Sequence, residues 1–176
     1  MVCLSLSVCP AGEVSGQRAC LTWRDTTENV CPGDFQAEGT LGVNILVIGD
    51  MIKTSGVRRK GGCWHFVKAV YDCAGYLTRQ VYPPDRKCDR NGPYLAETGI
   101  LQPGDWIMHI NMEYRQSEGI DHSAIFVRWT DEDAKNAYML DYVGNDLCAQ
   151  PGYKQHALSK VYCVMRAVPG KEGTAK

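Results

Sequence analysis

The chain is expected to fold as α+β, with helices first and an antiparallel sheet after them. Three observations carry that expectation. Apolar residues recur at helical spacing over 43–54 and 63–75, strand-length apolar runs take over after position 101, and a turn-rich loop with Pro83-Pro84-Asp85 and Asn91-Gly92-Pro93 divides the two halves. With 176 residues, 44% hydrophobic and 22% charged, the chain has the length to bury one core.

Residues 1–40 hold four cysteines, several Gly and Pro and little periodicity, which predicts an irregular arm pinned by disulfides across the core. Over 43–54, Val43, Leu46, Val47, Met51 and Ile52 follow helical spacing, and Ser55-Gly56 supplies a stop; a strand over 44–48 is the alternative. The next helix is expected over 63–75. Cys63, Val67, Val70 and Ala74 share its core-facing stripe, and Lys68 and Asp72 lie on another. The turn Gln102-Pro103-Gly104-Asp105 leads into a strand over 106–110, followed by strands over 122–129, 138–143 and 161–167, with 131–136 as a solvated connection. This gives an antiparallel meander. The tail, 169–176, is expected to fray. In the second strand His122 shares a face with Ala124 and Phe126, and in the third Asp141 shares one with Met139. Alternation alone leaves open whether His122 and Asp141 meet.

Nineteen basic and twenty acidic residues give a net charge of −1, and the one basic run, Arg58-Arg59-Lys60, has no interleaved aromatic residues. Nucleic acid is therefore not expected as a partner, and the triplet reads as a solvated loop. No stretch reaches the ~20 apolar residues that span a bilayer. Residues 1–9 lack the basic start of a signal peptide, so secretion rests on the cysteines, and Met1 is read as replacing a removed leader.

Nine cysteines without a C-x-x-C pair argue against a zinc ribbon, and no metal is expected. The odd total suits four disulfides and one free thiol in an oxidising compartment. Cys63 and Cys73, ten apart on one helix, stand roughly 15 Å apart, beyond the ~7 Å reach of a disulfide. Cys73 with Cys88, and Cys148 with Cys163, are the pairings that chain proximity suggests.

Cys63 follows Gly61-Gly62 and opens a helix; His122 opens the run Ser123-Ala124-Ile125-Phe126-Val127. A thiol attacks carbonyl carbon usefully as thiolate, and a helix N-terminus beside an imidazolium lowers its pKa. Cys63 and His122 are thus the candidate nucleophile and base. His65, His109 and His156 read as structural or surface residues. Trp64 and Trp106 are candidates for a substrate cleft, with Tyr114, Trp129 and Tyr142 divided between cleft and core, and 113–120 read as a flap or a hairpin connection.

Together, Gly61-Gly62-Cys63-Trp64-His65-Phe66-Val67, Leu101-Gln102-Pro103-Gly104-Asp105-Trp106-Ile107 and Asp121-His122-Ser123-Ala124-Ile125-Phe126-Val127 resemble the NlpC-type and CHAP-type branch of the papain-like fold over residues 43–167. The resemblance implies N-terminal helices packed on an antiparallel sheet, with 41–168 as a papain-like catalytic domain. It further implies a polar residue on the third strand that orients the imidazole: Asp141 is favoured for its place within the apolar run, with Asn145 and Asp146 as alternatives. The usual Asp-Cys-Ser-Gly signature is absent, since Gly62 and Trp64 flank the cysteine. Cys before His sets the chain apart from the circularly permuted relatives.

On that resemblance the chain is expected to hydrolyse amide bonds in peptidoglycan peptides as a monomer, without a cofactor, in a secreted or periplasmic setting. As a toxin delivered into competitors, it would have an immunity or inhibitor protein as partner. Two other readings stay open: a papain-like effector that deamidates or cleaves a protein, and a non-enzymatic, disulfide-rich binding module.

Overall fold

The structure is a computed structural model that describes residues 21–22, 31, 39–56, 58–113, 119–143 and 145–170. In chain order the elements are β1 (Leu21–Thr22), α1 (Leu41–Thr54), β2 (Arg59–Gly61), α2 (Cys63–Cys73), β3 (Leu77–Tyr82), a 3-10 turn (Thr98–Ile100), β4 (Trp106–Asn111), β5 (Ile120–Asp131), β6 (Asn136–Asp141), β7 (Asn145–Ala149), β8 (Gly152–Ala157) and β9 (Val161–Val168). The class is α+β. Six strands form an antiparallel sheet in the order β3-β9-β4-β5-β6-β8, and β1, β2 and β7 form a smaller one in which β1 runs parallel to β2.

A plain meander describes only β4, β5 and β6. The last strand inserts between β3 and β4, which leaves β3 and β8 as edges. Of the arm expected over 1–40, the described parts are β1, which adds a strand beside β2, Cys31, which is tied to α2, and residues 39–40, which lead into α1. The fraying expected of the tail concerns residues 171–176, outside the described residues.

Both helices pack on one face of the large sheet. Thr40 caps α1, and Ile45, Ile48 and Ile52 bury its inner stripe against Val67, Val70, Ile125 and Leu140. Each isoleucine contributes about 1.5–3 kcal/mol on burial. The stripe expected from sequence is rotated away from this one, because Val43 and Val47 are exposed. Two smaller residues decide the rotation. A Cβ at Gly49 would lie 2.3 Å from Leu140 Cδ2, so glycine allows close approach, while Asn44 Nδ2 donates to Tyr76 OH at 2.7 Å.

The Pro103-Gly104 turn seats this helix pair. Gly104 takes φ +89°, and a Cβ on Gly42 would lie 2.0 Å from Pro103 O, so two glycines face each other where α1 meets the entry to β4. The Tyr71 hydroxyl donates to Gly104 O at 2.6 Å, and Arg166 binds both oxygens of the buried Asp105 at 2.7 Å. The motif thus acts as a structural clamp. Gly42→Ala is expected to lower stability by about 1–3 kcal/mol through this overlap, read as a falling thermal midpoint; an unchanged midpoint would contradict the close contact.

Two disulfides join Cys31 to Cys73 and Cys88 to Cys163. Both pairings expected from chain proximity are therefore wrong. The end of α2 faces the N-terminal arm, and the loop carrying Cys88 folds back over β9 because β3 pairs with β9. Cys148 is also bridged, whereas Cys63 is a free thiol. Arg59, expected in a solvated loop, is a buried residue of β2. Among the described residues no helix is long and apolar enough to cross a membrane.

Candidate active site

Cys63 is the first residue of α2, after an extended Gly62 that offers no side-chain cap. The Gly62 N–H donates instead to His65 Nδ1 at 3.3 Å, so His65 serves the helix start. The helix carries the half-buried thiol to the beginning of β5. There Ser123 N–H donates to Sγ at 3.3 Å, and the Trp64 N–H gives a second backbone contact. His122 immediately precedes Ser123, and its imidazole meets the thiol.

Register resolves the question that alternation leaves open. Ala124 stands opposite Asp141, which puts Asp141 and His122 on one face as diagonal neighbours of adjacent strands. His122 Nε2 lies 3.1 Å from Asp141 Oδ2, with side chains 3% and 1% exposed. Since Nε2 is committed to the carboxylate, Nδ1 is the nitrogen left for the thiol. Cys63, His122 and Asp141 are thus brought together. Asn145 opens β7 with its backbone opposite Gly61, but its side chain, like that of Asp146, lies outside the described residues.

The same face holds residues that sequence reasoning set aside. His156 Nε2 lies 2.7 Å from Asp141 Oδ2, and its Nδ1 lies 3.3 Å from Asn111 Nδ2. An amide N–H donating to Nδ1 fixes the proton of His156 on Nε2, so Asp141 accepts from two imidazoles at once. His109 stands directly across from His122 in the β4–β5 register and is fully buried. Of the two alternatives for His109 and His156, the surface one is excluded: both are buried with His122, and the three ring centroids lie 5.3–5.5 Å apart. The sequence signal that finds them is parity: in β4, His109 falls on the same face as Ile107, and in β8, His156 stands opposite Ala137.

Electrostatics follow from these contacts. Burial pushes the Cys63 thiol up, yet the hydrogen bond and charge of His122, with the Ser123 and Trp64 amides, bring it below the ordinary thiol value. Burial alone would lower His122; hydrogen bonds to Asp141 and Cys63 outweigh it and raise the imidazole to about 9. Asp141 is likewise pushed up by burial and held well below the usual carboxylate range by His122 and His156. The arrangement favours a thiolate paired with an imidazolium.

Trp64 and Trp106, the candidate cleft residues, have ring centroids 5.7 Å apart and line a cavity of about 280 Å³ with Lys68, Tyr71, Asp72 and Tyr76. Trp64 is exposed and Trp106 is buried, so only the former offers a free ring face. Tyr142 belongs to the core, and Trp129 packs against the opposite apolar cluster. Tyr114 and most of the expected flap, 114–118, lie outside the described residues. Comparisons of the chain with protein-family models, with curated proteins and with solved structures found no match.

Proposed function

We propose that this chain is a cysteine hydrolase of the NlpC- and CHAP-type papain-like fold that cleaves amide bonds in peptidoglycan peptides. The observation that carries the reading is the unbridged Cys63 at the start of α2, the other cysteines among the described residues being disulfide-bonded, meeting an imidazole held by a buried carboxylate. The Cys63 thiolate attacks the scissile carbonyl, and the His122 imidazolium protonates the departing amine. Water then releases the acyl enzyme with His122 as base. The backbone N–H of Cys63, at the positive end of α2, is the oxyanion donor this geometry favours, worth about 3 kcal/mol when well aimed. Disulfides support an oxidising setting, hence a secreted or periplasmic enzyme.

Incubation with purified sacculi tests the substrate class, and release of peptide fragments or new amino termini is the expected result. Sacculi left intact alongside deamidation or cleavage of a protein substrate would favour the effector reading. Absence of any thiol-dependent turnover would favour a binding module.

Hydrolysis is expected to follow a bell-shaped pH profile. The acid limb marks protonation of Cys63 below the ordinary thiol range, and the alkaline limb falls near pH 9, where His122 loses its proton. The linked stability has a matching sign. A raised His122 stabilises the fold fully below its unperturbed value of 6.5 and ceases to do so as pH rises through about 9. A lowered Asp141 stabilises it above the ordinary carboxylate range and loses that effect in acid. A profile still rising beyond pH 10 would contradict the ion pair.

A further inference from the structure

A thiol, an imidazole and a carboxylate suffice for the chemistry above, which leaves His109 unexplained. It is 0% exposed, and neither ring nitrogen has a hydrogen-bond partner among the described residues; the Ile110 backbone lies near the ring without hydrogen-bond geometry. Leaving a buried polar group unpaired costs its full desolvation. Asp141 Oδ1 is a second such atom, buried, with Lys154 Nζ 4.0 Å away. His109 clusters with His122 and His156, and Asp141 borders that cluster through its Oδ2 contacts to His122 and His156. One ring nitrogen from each of His109, His122 and His156 lies within 4.8 Å of the others.

We propose that His109, His122 and His156, with Asp141, form a buried site for one Zn²⁺ ion, and that its occupation takes His122 away from Cys63. Zinc binds imidazole nitrogen and carboxylate oxygen at about 2.0–2.1 Å in a tetrahedron, which sets neighbouring ligand atoms about 3.3 Å apart. The Asp141 Oδ2 contacts to His122 and His156, 3.1 and 2.7 Å, already stand near that spacing. Exchanging two N–H···O bonds for metal bonds therefore asks for movements of tenths of an ångström there, and for a larger inward rotation of His109. Imidazole ligands suit zinc, and the carboxylate offsets half of its charge.

Binding displaces the Nε2 proton of each of these two imidazoles. At His122 the metal-bound ring keeps its remaining proton on Nδ1, the nitrogen facing the thiol, and has no free nitrogen with which to take another, so it no longer exchanges protons with Cys63 and a substrate. The metal form is thereby an inactive form. That consequence rests on the cysteine-hydrolase reading, whereas the binding itself does not.

The test titrates ZnCl₂ calorimetrically into chelator-treated full-length protein as wild type, His109→Phe and Cys63→Ser, with iodoacetamide alkylation of Cys63 followed in parallel. Wild type and Cys63→Ser are expected to bind one ion each, and His109→Phe about 100-fold more weakly. Zinc is expected to slow alkylation in wild type, reversibly with chelator, and to leave His109→Phe unaffected. If His109→Phe fails to fold, His109→Leu replaces it, and the visible spectrum of Co²⁺-loaded wild type is expected to show tetrahedral coordination without a thiolate band. No binding by wild type, equal binding by the His109 variant, or binding lost in Cys63→Ser would each overturn the proposal. Zinc binding without turnover of sacculi would leave the site standing and remove the hydrolase reading; turnover without zinc binding would do the reverse.

Discussion

For the cysteine hydrolase proposed above, Cys63→Ala is expected to reduce hydrolysis of peptidoglycan peptides by at least about 10⁴-fold while leaving the fold in place. The size of the effect follows from what sulfur supplies: without it no acyl enzyme forms, and the residual oxyanion and binding contributions act on water alone. The small structural cost follows from position. Cys63 is half-buried at a helix start and bridged to nothing, so its loss breaks no covalent link and removes one part-buried contact from the Ser123 N–H. Circular dichroism and thermal melting should therefore stay near wild type while activity disappears. Retained activity would remove Cys63 from the mechanism.

Changes at Asp141 are expected to divide by chemistry. Asp141→Ala strands two buried imidazole N–H groups, of His122 and His156, and removes the carboxylate charge that faces both. Breaking a buried pair from one side costs about 3–5 kcal/mol, so this variant should melt far lower or fail to fold. Asp141→Asn keeps an oxygen that accepts from both rings and puts its amide where Oδ1 now has no hydrogen-bond partner. That protein should fold, but the hydrogen bond and charge that lift His122 to about 9 are weakened. Its kcat is expected to fall about 10²–10⁴-fold, with the alkaline limb of the profile moving toward or below the ordinary histidine value. An alkaline limb unmoved in Asp141→Asn would show that the carboxylate does not govern the imidazole.

How far these features can be read from sequence depends on where each residue lies. Both helices are legible because apolar spacing and the Ser55-Gly56 and Gly75 stops agree, although Val43 and Val47 point the first stripe at solvent; the amide of Asn44 and the bare backbone of Gly49, both invisible to apolar periodicity, turn it inward. Strands β4, β5, β6 and β9 are legible as central strands with apolar runs. The edge strands β3 and β8 are not, because Leu77, Thr78, Arg79, Lys154 and Gln155 are exposed and leave little alternation to detect.

The site divides in the same way. Helix-start and strand-start signals mark Cys63 and His122, and the apolar run marks Asp141. His156 comes from an edge strand, and His109 joins the cluster only through the β4–β5 register, a tertiary fact. Disulfide partners are tertiary facts too. Chain proximity suggests Cys88 for Cys73, whereas sheet order delivers Cys88 to Cys163.

Activation of the Cys63 thiol by the His122 imidazole is the central claim. Its most direct measurement is the rate of Cys63 alkylation by iodoacetamide in unreduced protein across pH 4–10, in wild type and in His122→Ala, with the labelled residue located by mass spectrometry. In wild type the label should appear on Cys63 at a rate that persists well below the ordinary thiol pKa of about 8.5. In His122→Ala the same rate should collapse at neutral pH and recover only toward that value. Superimposable profiles for the two proteins, or a Cys63 that takes no label, would contradict it.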